Sequence, residues 1–128
     1  MTTIKGFDHV VLIVRDVERS VAWYRDKLGL EPARLDEFRR GDTPFASMRI
    51  DASTVIDLLP GEPSGKNIDH VALVLDPSID IDELAASGEF DVRAGPMRIW
   101  GAQGYGQGVY VADPDGHVIE LKSYREGD

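Results

Sequence analysis

FDHVVLIV, residues 7–14, and IDHVALVL, residues 68–75, are two versions of one pattern: an apolar run with Asp-His at its head. Short runs rich in Val, Ile and Leu predict strands, and their recurrence in one small chain predicts a module built twice. A second anchor points the same way. TVIDLL (54–59) and HVIELK (117–122) align on Val-Ile, which sets Asp57 opposite Glu120. The Asp57-to-Glu120 and His9-to-His70 separations differ by only two residues.

The stretches between the anchors repeat as well. After the first strand comes RDVERSVAWYRDKLGL (15–30), where Asp16 is placed as an N-cap and Val17, Val21, Tyr24 and Leu28 recur at helical spacing. Gly29 supplies the stop. EPARLDEF, PFASMRID and STVIDLLP then read as three strands separated by Gly, Asp and Pro. GEPSGKN (61–67) is the most linker-like segment. Beyond it the order restarts, with a strand over 68–75, a short helix around DIDELAAS (80–87), and strand candidates near 90–94, 97–100, 107–112 and 117–122. The expectation is an α+β chain of two tandem β-α-β-β-β modules, about 5–60 and 67–124, within a single domain spanning 1–128.

Composition narrows the function classes. The 128 residues are 42% hydrophobic, enough for one domain or for two small halves. No apolar run is long enough for a membrane span, and MTTIKGFDH has no signal-peptide core. Cysteine is absent, which removes disulfides, thiolate metal sites and cysteine nucleophiles and fits a cytoplasmic protein. A formal charge of −9 argues against a nucleic-acid surface, which needs clustered Lys and Arg.

Alternation along a strand gives His9 the same face as Val11 and Ile13, and His70 the same face as Ala72 and Val74. Asp57 shares its face with Val55 and Leu59, and Glu120 with Val118. Four ionisable groups are therefore expected to point into a mostly apolar space. A lone strand histidine is more often a core or rim residue, and a lone carboxylate usually faces water. Four in register are different, because two enclosed carboxylates are costly unless a cation lies between them. Two imidazoles with one or two carboxylates suit Fe, Mn, Ni, Co or Zn and leave coordination positions open for substrate. His117, just beyond the DPDG turn, is expected opposite Glu120 and structural.

The whole chain, residues 5–124, resembles the vicinal oxygen chelate superfamily, the glyoxalase, bleomycin-resistance and extradiol-dioxygenase group. DHVVLIVRDVERSVAWYRDKLGLE near the start and GVYVADPDGHVIELKSY near the end carry the resemblance, and DPDGHVIEL is its most specific part. The resemblance implies two β-α-β-β-β modules curled into a cup-shaped, barrel-like site. It implies His9, Asp57, His70 and Glu120 as ligands of a divalent metal ion. Asp57 is a departure, since glyoxalase I and methylmalonyl-CoA epimerase carry Glu or Gln there. Val11 is another, since fosfomycin transferases typically place threonine at that point. The implied chemistry is chelation of vicinal substrate oxygens and movement of a proton by Glu120 or Asp57, a lyase, isomerase or epimerase reaction. Extradiol-type dioxygenase and metal-free binding of aromatic or drug-like ligands are the alternatives.

For substrate, WGAQGYGQG (100–108) reads as a glycine-rich loop able to close over the site. Trp100, Gln103 and Tyr105 are its candidate substrate contacts. A small molecule is the expected partner, and the resemblance implies a homodimer.

Overall fold

The computed structural model describes residues 7–65 and 68–125. The chain divides into two compact units, Met1–Ser64 and Gly65–Asp128. The first contains β1 (His9–Val14), α1 (Val17–Leu28), β2 (Glu31–Ala33), α2 (Leu35–Arg40), β3 (Ala46–Arg49) and β4 (Val55–Pro60). The second contains β5 (Val71–Val74), α3 (Ile81–Ala86), β6 (Asp91–Gly101), β7 (Gly104–Ala112) and β8 (Val118–Ser123). Each unit has one four-stranded mixed sheet, in the order β1-β4-β3-β2 and β5-β8-β7-β6. In both, the first strand lies at the edge, parallel to the last, and the remaining pairings are antiparallel. The two units repeat one topology in an α+β fold.

Local chemistry fixes α1. Asp16 is extended and its side chain accepts a hydrogen bond from the Arg19 backbone N–H at 3.1 Å. Gly29, at φ 72°, turns its N–H back to the Arg25 carbonyl, and the Leu30 N–H reaches the Tyr24 carbonyl. Val17, Val21 and Tyr24 are buried on one stripe of this helix, which packs on β3 and β4. They meet a core that includes Leu12, Val14, Met48, Ile56 and Leu58. In the second unit α3 packs on β6 and β7, where Ile81, Val109, Val111, Ile119 and Leu121 are buried. Asp80 caps α3 by accepting from the Asp82 and Glu83 N–H groups. Among the described residues, no helix is long and apolar enough to cross a membrane.

Three expectations are corrected. EPARLDEF is not one strand: β2 is three residues long, Arg34 adopts φ 61°, and Leu35–Arg40 form α2. A left-handed residue cannot continue a strand. The candidates near 90–94 and 97–100 are one strand, β6, whose register against β7 shifts between Val92 and Ala94 and again between Ala94 and Met97. WGAQGYGQG is not a loop. It is the end of a β6–β7 hairpin, with Trp100 paired to Tyr105 and Gly101 to Gly104.

The glycines of that hairpin serve close approach rather than mobility. A Cβ at Gly106 would overlap the Ser123 carbonyl oxygen, and one at Gly101 would overlap the Tyr124 hydroxyl. A Cβ at Gly108 would stand 2.8 Å from Ile99 Cδ1 and 3.4 Å from the Glu120 side chain. Bare backbone on this side of β6 and β7 makes room for the side chains of β8.

Candidate functional site

Strand order decides how deeply each candidate residue lies. His9 and His70 belong to the edge strands or their approach, whereas Asp57 and Glu120 sit on the strands just inside. The carboxylates are buried, at 7% and 4% exposure. The His9 side chain is 46% exposed and that of His70 32%. The enclosed space expected from sequence is thus realised at the carboxylates, while within each unit the histidines and the flanking Val11, Ile13 and Val74 remain open.

In the first unit Val11, Asp57 and Ser47 are cross-strand neighbours on one face. The Ser47 hydroxyl donates to Asp57 Oδ1 at 2.5 Å. Oδ2 is left facing His9 Nε2 at 3.9 Å. The other ring nitrogen, His9 Nδ1, donates to Asp8 Oδ2 at 2.7 Å. That hydrogen bond, outweighing desolvation and joined by the charge of Asp57, holds the His9 pKa above its ordinary value.

The second unit repeats this arrangement part for part. Ala72, Glu120 and Tyr110 are cross-strand neighbours. His70 Nδ1 donates to Asp69 Oδ2 at 2.8 Å, and Nε2 faces Glu120 Oε1 at 3.5 Å. Tyr110 lies edge-on to the His70 ring, 5.2 Å between centroids, and hydrogen-bonds Glu120. Burial chiefly, and then that hydrogen bond, push the Tyr110 pKa up. Each unit therefore sets a carboxylate-anchored imidazole against a buried carboxylate steadied by a hydroxyl.

The chemistry of this donor set fits a divalent cation. In a neutral imidazole whose Nδ1–H is tied to a carboxylate, Nε2 is the nitrogen left to bind a cation, the usual support of a metal-binding histidine. Two ligands about 2.1 Å from one cation and at right angles to each other stand about 3.0 Å apart. The His70–Glu120 pair is close to that spacing, and the His9–Asp57 pair is wider. Among the described residues, no three His, Asp or Glu side chains gather into a metal-ready group; the four candidates stand as two pairs, one in each unit.

Residues 6–121 match the model of the Glyoxalase/Bleomycin resistance protein/Dioxygenase superfamily. The chain belongs to that superfamily. It is 25% identical over 124 residues to a virulence protein of Salmonella typhimurium, an alignment covering 94% of this chain and 85% of that one. It is 27% identical over 130 residues to the lactoylglutathione lyase of Neisseria meningitidis serogroup A, covering 94% and 91%. The fold is similar to that of a variant of the fosfomycin resistance protein FosX from Listeria monocytogenes, with TM-score 0.67, 23% identity, and 94% and 93% of the chains covered. That protein was crystallised with Mn(II) and 1S,2S-dihydroxypropylphosphonic acid.

The substrate candidates are placed elsewhere. Register pairs Tyr110 with Glu120 and Gly108 with Lys122, so even-numbered residues of β7 share the Glu120 face. Tyr105 is on the opposite face, as is its partner Trp100. The two rings meet edge-on at 5.1 Å, with the Arg98 guanidinium 3.6 Å from the Tyr105 ring centroid. Both are more than half exposed. Gln103 is at the hairpin tip, where its backbone N–H donates to the Tyr124 hydroxyl at 3.3 Å. The structure does not bring Trp100 or Tyr105 to Glu120. His117, expected to be structural, lies at the turn before β8, where its N–H donates to Asp113 Oδ1 at 2.8 Å.

Sequence reasoning missed Asp8, Asp69, Ser47 and Tyr110. The signal for the first two was in plain view, since Asp precedes His in both repeats. The separation from Ser47 to Tyr110 also equals that from Asp57 to Glu120.

Proposed function

We propose that the protein is a metal-dependent enzyme in which His9, His70 and Glu120 hold one divalent cation, with Asp57 beside it to move the proton. We further propose that it acts on a small molecule with two neighbouring oxygens, moving a proton in a lyase, isomerase or epimerase reaction. The observation that carries this is the pairing, in both units, of a carboxylate-anchored imidazole with a buried, hydroxyl-supported carboxylate. A bound cation supplies Lewis-acid charge to an oxyanion that develops as the proton leaves carbon.

The chain's own residues divide the remaining work. His9 and His70 offer Nε2 because Asp8 and Asp69 occupy Nδ1. Glu120, nearer its histidine and with the longer reach, is assigned to holding the cation. Asp57, one methylene shorter and more widely spaced from its histidine, is assigned to accepting and returning the substrate proton at Oδ2, while Ser47 keeps Oδ1 engaged. A cytoplasmic homodimer is part of the same reading, and light scattering on the purified protein tests its size.

Metal content decides the matter. Protein purified without chelator or His-tag is expected to carry about one Fe, Mn, Ni, Co or Zn per chain, and His70→Ala to lose it. Metal-free wild-type protein that gains no thermal stability when each metal is added would overturn the proposal. The protein would then belong with ligand-sequestering members, and ligand screens would replace turnover assays. Asp69→Asn makes a finer test. It is expected to weaken metal binding about 10- to 100-fold, the usual cost of losing a carboxylate behind a ligand histidine. An unchanged affinity in a competition titration would detach Asp69 from the site.

A further inference from the structure

The two units differ at a matching position. Where the first carries Leu59, two residues beyond Asp57, the second carries Lys122, two residues beyond Glu120. Alternation places Lys122 on the Glu120 face, and its side chain is 2% exposed. Lysines almost always extend their ammonium into water, and enclosing the charge is costly. A mere packing strut would be better served by methionine or leucine.

The surroundings are shaped to hold that ammonium. Nζ donates a hydrogen bond to the Ile99 carbonyl oxygen and lies 5.4 Å from the Tyr124 ring centroid. A Cβ at Gly101 would stand 3.0 Å from Lys122 Cε and 3.3 Å from Nζ, so the bare backbone there gives the head group its seat. Nζ is 3.9 Å from Glu120 Oε2, while Glu120 Oε1 faces His70 Nε2 at 3.5 Å. The two oxygens of Glu120 thus have different neighbours, an imidazole on one side and a fixed cation on the other.

We propose that Lys122 is a positioning residue that holds Glu120 Oε2 on its own side, so that Glu120 meets the metal through Oε1 alone. This rests on the metal-binding reading above and extends it. A carboxylate free to swing would chelate through both oxygens and fill a coordination position. A tethered one leaves that position to substrate, as chelation of two substrate oxygens requires.

The test compares wild type with Lys122→Met and with Lys122→Gln, whose amide still reaches toward the Ile99 carbonyl if the methionine variant folds poorly. Each is loaded with Mn(II) and Co(II), and metal per chain is measured alongside water-proton relaxation and the Co(II) visible spectrum. The expected result is unchanged stoichiometry with Mn(II) relaxation reduced to about two thirds, as a second carboxylate oxygen displaces one of three bound waters in an octahedral site. The Co(II) bands should shift in step. Folded variants with wild-type relaxation and spectra would overturn this inference and leave the metal site standing. Wild type without metal would overturn both.

A measurement on wild type alone covers the case in which neither variant folds. In protein carrying carbon-13 glutamate, metal addition should move one carboxylate to the widely split infrared pair of single-oxygen binding. A narrow pair, the mark of two-oxygen binding, would overturn the proposal.

Discussion

Glu120→Ala is expected to empty the protein of metal and to lower its stability by about 3 kcal/mol, the lower end for removing one partner of a buried charged pair. The two losses have different origins. The metal is lost because Glu120 is the assigned holder on the more closely spaced of the two pairs, with Oε1 at 3.5 Å from His70 Nε2. Stability falls because Glu120 is 4% exposed and its neighbours are polar. The Lys122 ammonium would keep its bond to the Ile99 carbonyl but lose its anionic neighbour, and the Tyr110 hydroxyl would lose its acceptor. Asp57→Ala should cost less, since its polar neighbours are a small hydroxyl and a half-exposed histidine. Denaturant titration of the metal-free proteins isolates the second effect, and elemental analysis the first. Stoichiometric metal in Glu120→Ala would remove Glu120 from the ligand set.

How far these features could be read in advance followed from how local each one is. The ends of α1 were legible because Asp16 and Gly29 act on backbone groups within one turn. The duplicated topology was legible because two anchors recur at nearly one separation. The exposure of the histidines was not, because it depends on β1 and β5 being edge strands, and sheet order is not a property of any one segment. That Trp100 and Tyr105 lie on the face opposite Glu120 was not legible for a related reason. Their face follows only from the register that links Tyr110 to Glu120 and Trp100 to Tyr105, across hairpins whose pairing was unknown. Asp8 and Asp69 escaped because Asp before a strand also reads as turn chemistry. The turn at Arg34 gave no signal at all, since a non-glycine residue at φ 61° is rare and arginine does not announce it.

The glycines of WGAQGYGQG separate the two readings of that segment by experiment, and Gly106→Ala is the decisive change. Were the segment a flexible loop, alanine would be neutral or mildly stabilising, because it restricts the unfolded chain. In the structure, Gly106 is buried in β7 opposite Ile99, and a methyl there would run into the Ser123 carbonyl and press on the Tyr124 ring. Neither neighbour yields easily, since one is backbone of β8 and the other sits beside the Lys122 ammonium. Gly106→Ala should therefore cost about 3 kcal/mol as overpacking, or roughly 10 °C in Tm for a chain of this size. Gly104→Ala is the control. Its φ of 96° penalises alanine, but a Cβ there meets nothing within 4 Å, so a loss of only about 1 kcal/mol is expected. Thermal unfolding of the two variants side by side gives the answer. Equal and small losses would mean the hairpin opens easily and β8 is not held where the site needs it. A much larger loss at Gly106 would place Lys122 and Glu120 on a strand whose position is set by bare backbone across from it.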